Sequence, residues 1–509
     1  MNEESRKMNK PPFQNFSSWR PYQSETISQI QNKFTIISAP TGSGKSLIGM
    51  TLCKEHDRSL YLCSTKTLQD QLSTDFPGIP ILKGRSNYPC IYNDITESSF
   101  PEITCEDCVF EVDDNGERDS CSGCTYKIHK AKAFNSSVAI LNMSYFVTET
   151  NYVGMFSGRD IVIVDECDKL ESEILRFVSL SVSDRQMEQF SLEPPKFKTK
   201  VESWKDWANK YLPYIRDKVK TLLSQFQKRN NDISLLRQFK SADSLHKKMK
   251  MFIESVDSTW IYKDSGKKWE FKPIWISQFM EKYFWAHAKK FVLMSATPPL
   301  KELLGLTECD EIEIPSQFPK ENRRVIYNPV ANLTHKTMAQ EMGKLLGGVI
   351  EIVNKYPNDK GLIHTVSYTL ASYLSNNINS NRVMTHDGSS RTETLEKFKL
   401  SKKPLILISP SMDRGVDLLY DAARWCIVAK VPFLDLSDKQ VSSRLHSGSF
   451  GRRWYASQAA NTIMQMTGRI VRAMDDYGTS WILDKQFETF YGRNSKLFHN
   501  WWTEALEYH

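Results

Sequence analysis

Short apolar runs, each ended by small, polar or acidic residues, punctuate this chain. Phe34-Thr-Ile-Ile-Ser38, Ile161-Val-Ile-Val164 and Phe291-Val-Leu-Met294 are nearly continuous in β-branched and apolar side chains. That is the pattern of parallel strands buried on both faces. Gly361-Leu-Ile-His364 and Pro404-Leu-Ile-Leu-Ile408 repeat it in the C-terminal third. A different period governs the middle. Val201, Trp204, Ala208, Tyr211, Ile215, Val219, Leu222 and Phe226 recur at steps of three and four, which predicts an amphipathic helix with an aromatic stripe on its core face. Pro213 lacks an amide donor and is expected to kink or split that helix. Residues 230–232 and 263–267 read as loops. Strands of this kind predict an α/β chain of doubly wound parallel sheets, whose ligands lie at the carboxyl ends of the strands.

Those ends carry the chemistry. Ala39-Pro-Thr41-Gly42-Ser43-Gly44-Lys45-Ser46 follows the first strand and precedes the helical segment from Leu47 to Leu52. Gly42 and Gly44 permit a tight turn in which successive N–H groups point at phosphates. Lys45 supplies charge for the β and γ phosphates, and Ser46 a hydroxyl for Mg²⁺. The dipole of the following helix favours the same anion. Asp165-Glu166-Cys167-Asp168 follows the second strand. Asp165 is assigned to the metal and Glu166 to the attacking water. Ser295-Ala296-Thr297 follows the third strand and gains weight only from its position. Later come Ser409-Pro-Ser-Met-Asp-Arg-Gly415-Val-Asp417 and Gln465-Met-Thr-Gly468-Arg469-Ile-Val-Arg472. Arg469 and Arg472, three apart, would share one face of a helix. There they could reach a γ-phosphate held by another domain and stabilise transition-state charge.

The order of Arg20-Pro-Tyr-Gln23, the phosphate loop, the Asp-Glu-Cys-Asp run, Ser295–Thr297, Gly415–Asp417 and Gln465–Arg472 resembles that of superfamily 2 helicases. The narrower resemblance is to the iron–sulfur helicases of the XPD and DinG group. It is carried by Leu82-Lys-Gly-Arg-Ser-Asn-Tyr-Pro-Cys90, the cysteines after it, Ser316-Gln-Phe-Pro319 and Asp476-Tyr-Gly478. The resemblance implies two RecA-like lobes, with Arg20 and Gln23 at the adenine, Gln465 placing the nucleotide and Asp417 coupling the lobes. It implies translocation on single-stranded DNA, mostly 5′ to 3′. The family's Asp-Glu-Ala-His departs here to Cys167 and Asp168, which bears on coupling between lobes more than on hydrolysis. The resemblance divides the chain into a first-lobe segment (1–83), a cysteine-rich iron–sulfur insert (84–130), the first lobe again (131–172), a basic helical arch-like insert (173–275), the last first-lobe motif (276–300) and the second lobe (301–509).

Five of the ten cysteines, at 90, 105, 108, 121 and 124, fall within 35 residues. The polar start of the chain, without an apolar core, argues against a secretory leader and a disulfide framework. Clustered cysteines in such a chain read as a metal site. Spacing alone allows a four-thiolate zinc site of Cys105, Cys108, Cys121 and Cys124. The resemblance implies instead a 4Fe–4S cluster on Cys90, Cys105, Cys108 and Cys124, with Cys121 spare.

A 40% hydrophobic and 25% charged composition is that of a folded soluble protein, and no apolar run reaches membrane-spanning length. The net charge is +7, but residues 191–250 hold 15 Lys/Arg against 6 Asp/Glu, a local excess of +9. Lys196, Lys198, Lys200, Lys205, Lys218 and Lys220 suit backbone phosphates without base specificity. The expected protein is an intracellular, monomeric, ATP- and Mg²⁺-dependent DNA helicase acting on single-stranded and forked or flapped DNA, with RNA left open. It would be cytoplasmic in a prokaryotic or phage setting and nuclear in a eukaryote. Two alternatives stand beside it: a single-strand translocase that remodels nucleoprotein without unwinding, and a nucleic-acid-binding redox sensor with weak ATPase.

Overall fold

The computed structural model describes residues 10–90, 104–108, 123–228, 232–412, 418 and 420–509. Gly415, Asp417, Cys121 and residues 230–231 lie outside the described residues.

The strands in chain order are β1 (Phe34–Ser38), β2 (Ser59–Cys63), β3 (Ile81–Leu82), β4 (Val138–Asn142), β5 (Arg159–Asp165), β6 (Leu180–Ser183), β7 (Trp260–Asp264), β8 (Lys268–Pro273), β9 (Ala288–Ser295) and β10 (Asp310–Glu313). They continue with β11 (Arg323–Ala331), β12 (Gly361–His364), β13 (Val383–Thr385), β14 (Ile406–Ser409), β15 (Trp425–Val428), β16 (Gly478–Asp484) and β17 (Leu506–Tyr508). Among the described residues, two seven-stranded sheets result, in the orders β10-β1-β9-β5-β2-β4-β3 and β13-β14-β12-β15-β16-β11-β17. Every pairing in both is parallel. The apolar runs behave as their composition requires. β2 and β12 are buried at every position, because helices cover both faces of a parallel sheet.

The first sheet reaches further along the chain than expected. β10 pairs with β1 across Thr35–Asp310 to Ser38–Glu313, so the first lobe runs to Glu313 and not to residue 300. A parallel edge strand beside β1 needs its crossover completed first, and residues 296–309 provide it.

Between β5 and β9 the chain leaves the sheet. Helices Val201–Lys228 and Ile233–Ser255 pack against each other. The segment expected to be helical also contains an antiparallel sheet, β6-β8-β7. Residues 263–267, read as a loop, turn the β7–β8 hairpin. Trp204, fully buried, joins the helices to this sheet, with ring centroids 5.3 Å from Trp269 and 4.9 Å from Phe271. The aromatic stripe is therefore core. Pro213 does not split its helix, which runs unbroken over 28 residues. Pro213 and Asn209, whose carbonyl loses its donor, are both exposed, so water can satisfy that carbonyl.

Candidate nucleotide site between the lobes

The loop after β1 turns through two left-handed glycines, Gly42 at φ 81° and Gly44 at φ 76°. Space as well as torsion demands glycine at both. A Cβ on Gly42 would lie 2.1 Å from the Phe318 ring, and one on Gly44 would lie 2.2 Å from Gln23 Nε2. Ala39, at the usual first glycine position, is fully buried and donates its N–H to Ser295 O at 2.9 Å. Ser43 Oγ donates to Pro40 O at 2.7 Å. Lys45 opens helix Lys45–Lys54, and its Nζ donates to Ala39 O at 3.3 Å. Thr41 and Ser46 are half-buried on the same loop.

Arg20 and Gln23 grip this loop by its backbone. Arg20 donates to Gly42 O. Gln23, 1% exposed, sends Nε2 to Ser43 O and Gly44 O at 3.2 Å each, and its Oε1 accepts from Arg20 N at 2.8 Å.

The carboxylates stand at the end of β5. Asp165 is 2% exposed and accepts from Tyr61 Oη at 2.6 Å and from Glu166 N at 2.9 Å. Burial, then the charge of Asp165, keeps the Tyr61 phenol protonated and donating. Glu166 sits in the left-handed region at φ 52° and accepts from Ser64 Oγ. Its carboxyl is pushed above the ordinary range by burial and by Asp165 and Asp168, against the Ser64 hydroxyl. That shift suits a group that must take a proton from water. Cys167 is fully buried, and burial beside Asp168 and Asp165 pushes its thiol far up, so it packs and does not react.

Asp168 accepts from Ser295 Oγ at 2.9 Å, which ties the ends of β5 and β9. Thr297 then crosses to the second lobe, accepting from Gln465 Nε2 at 2.6 Å. Asp168, Thr297 and Gln465 line one cavity of about 230 Å³. The structure thus brings Lys45, Asp165, Glu166, Ser295, Thr297 and Gln465 to the facing ends of two sheets.

The two arginines are arranged differently from the expectation. Helix Ser449–Thr467 ends at Gly468, so Arg469 and Arg472 lie on the turn beyond it and share no helical face. Asp476, fully buried, holds that turn: its carboxylate accepts from Arg472 N at 3.2 Å and pairs with Arg424 at 2.8 Å. Arg469 lies close enough to His364 for its charge, after burial, to help push that imidazole down to about 3.

Sequence reasoning missed Tyr61 and Ser64, and gave Phe318 no role beyond its place in Ser316–Pro319. Tyr61 is the one phenol inside the buried run Ser59–Cys63, and Ser64 sits just past a strand end, as Ser295 ends β9. Those were the available signals. Nothing in the sequence announces that Phe318 rests on Gly42.

The cysteine segment is only partly described. Cys105 Sγ and Cys124 Sγ are 3.5 Å apart, both buried. The Cys105 thiol is pushed up to about 12, mainly by burial and its bond to Cys124, with a smaller effect from Cys90. Cys108 is buried and Cys90 half-buried. Two donors of the expected set therefore meet, but among the described residues no three His, Cys, Asp or Glu form a metal-binding group. Also among them, no helix is long and apolar enough to cross a membrane.

Residues 349–505 match the helicase C-terminal domain family, and residues 16–192 match the type III restriction enzyme res subunit family. The ATP-dependent DNA helicase YoaA of Haemophilus influenzae is 20% identical over 572 residues, spanning 90% of this chain and 89% of that protein. YoaA of Escherichia coli is 20% identical over 564 residues, spanning 89% and 88%. Among solved structures, Xpd4 of S. tokodaii superposes with a TM-score of 0.60 at 13% identity, covering 96% of this chain and all of that one. An XPD helicase structure gives 0.62 at 16% identity, covering 96% and 98%. Two parallel-sheet lobes, a phosphate loop facing paired carboxylates, and relatives matched over nearly their whole length make this chain similar to ATP-dependent DNA helicases, with the fold of the XPD structures.

Proposed function

We propose that this protein is an ATP-dependent DNA helicase that moves along single-stranded DNA, 5′ to 3′, by opening and closing the cleft between its lobes. The observation that carries the reading is the continuous contact from phosphate loop to second lobe. Ala39 meets Ser295, Ser295 meets Asp168, and Thr297 two residues on meets Gln465. A nucleotide change at the loop thereby acts on the second lobe through hydrogen bonds, the arrangement cleft motion requires. Lys45 and the loop N–H groups would hold the phosphates, Ser46 and Asp165 the Mg²⁺, and Glu166 the attacking water. Arg469 and Arg472 would reach the γ-phosphate once the cleft closes. Bound Mg²⁺ would neutralise charge developing on the phosphates.

The strand would lie against the basic segment after β6. Lys196 and Lys200 flank the exposed Phe197 ring at 5.7 and 5.3 Å, a pairing of cations and an aromatic face suited to single strands. Cys90, Cys105, Cys108 and Cys124 would hold a 4Fe–4S cluster. The meeting of Cys105 with Cys124 supports it, and a cluster there would staple a segment too short to bury a core of its own.

Lys45→Ala tests the motor. It is expected to abolish strand-stimulated ATP turnover while single-strand affinity stays within about threefold, since phosphate-backbone binding does not use this lysine. Undiminished turnover in that variant would remove the assignment.

A further inference from the structure

Arg444 lies on the second-lobe helix Lys439–Leu445, yet it is only 3% exposed. Its guanidinium pairs with Glu171 on the first-lobe helix Leu170–Val178, three residues past Asp168. Its Nε donates to Ile274 O at 2.6 Å. Two indoles face it, Trp275 at 4.8 Å and Trp454 at 4.6 Å. Gln440 Nε2 adds a bond to Pro273 O at 2.9 Å, and Trp275 meets Phe450 at 4.9 Å. Ile274 and Trp275 follow β8 on the first-lobe side, whereas Phe450 and Trp454 belong to the helix that ends at Gln465-Met-Thr467. Arg444 and Glu171 also line the cavity shared by Asp168, Thr297 and Gln465.

A buried ion pair adds little net stability over well-packed apolar groups, but it fixes register, and loss of one partner leaves a charge uncompensated. Arginine suits the task because its planar fork bonds and stacks at once. We propose that Arg444 and Glu171 form an interlobe tie. It sets the spacing between the helix after the catalytic carboxylates and the helix carrying Gln465, which makes Arg444 a positioning residue for ATP turnover. The tie rests on the motor reading above.

The test compares the full chain with Arg444→Gln, Glu171→Gln and the double variant. ATP turnover is measured with and without single-stranded DNA, together with KM for ATP. The distance between probes at Asp57 and Lys402, exposed in the two lobes, is measured in parallel. Each single variant is expected to lower strand-stimulated kcat about tenfold, with KM within about threefold, and to broaden the interprobe distance. The double variant should be no worse than either single one, as expected for groups acting as a unit. Arg444→Lys, which keeps the charge and guards against misfolding, should recover part of the loss. A fall in melting temperature with kcat and distance unchanged would overturn the tie and leave ordinary packing. Absence of ATP turnover in the wild type would sink the motor reading alone, because the distance measurement still decides whether the pair holds the lobes.

Discussion

Tyr61 donates to Asp165 at 2.6 Å from the neighbouring buried strand. A hydrogen bond to a charged group contributes about 1.5–3 kcal/mol. Tyr61→Phe should therefore lower stability by about that amount in denaturant unfolding, and lower kcat because Asp165 loses its orientation. No change in either would mark the phenol as a spectator. His364 gives a pH prediction. Burial, then Arg469, holds it near 3 against an ordinary 6.5. The unfolded chain thus binds the proton more readily, so the contribution to stability is whole above about pH 6.5 and is lost as pH falls toward 3. The melting temperature of the wild type should fall more steeply below pH 6.5 than that of His364→Asn. Parallel curves would refute the assignment. Neither residue stands out in the sequence. Lys45, Asp165 and Glu166 do, because phosphate and metal chemistry dictates residue type at fixed local spacing. Tyr61 acts through a neighbour 104 positions away.

At the scale of elements, five strands were legible: Phe34–Ser38 is β1 and Gly361–His364 is β12 as read, whereas β9 begins three residues before Phe291. Continuous apolar runs bounded by polar residues leave little alternative. The helix Val201–Lys228 was legible in its period but not in its response to Pro213. An exposed proline in a continuous helix still forfeits a hydrogen bond, about 3 kcal/mol relative to alanine. Pro213→Ala should accordingly raise the stability of this region, read by hydrogen exchange across residues 201–228. Faster exchange would mean that the proline is needed for packing. Trp204, buried among Trp207, Trp269 and Phe271, should cost about 3–5 kcal/mol on replacement by alanine. The turn bearing Arg469 and Arg472 was misread as helix because three-residue spacing fits a helix face, whereas Gly468 ends the helix first.

Across the whole molecule, the basic excess and the paired carboxylates are separated. The basic excess sits between β6 and β7, and the carboxylates lie at the sheet ends. Replacing Lys196, Lys198 and Lys200 with glutamine should flatten the dependence of single-strand binding on log salt by about 2, at ~0.7 per phosphate contact. An unchanged slope would place the strand elsewhere. Five strands of the two sheets, β1, β5, β9, β12 and β14, follow from runs the sequence displays, since burial on both faces is a local compositional demand. So does the phosphate loop, whose glycines answer a backbone torsion. What the tertiary structure alone decided is which distant groups meet. β10 joins β1 and moves the lobe boundary, Phe318 rests on Gly42, Gln465 reaches Thr297, and Arg444 finds Glu171 273 residues away. Residue type and spacing encode what a side chain can do. Its partner is set by how two separately folded sheets pack, and no local pattern along the chain carries that information.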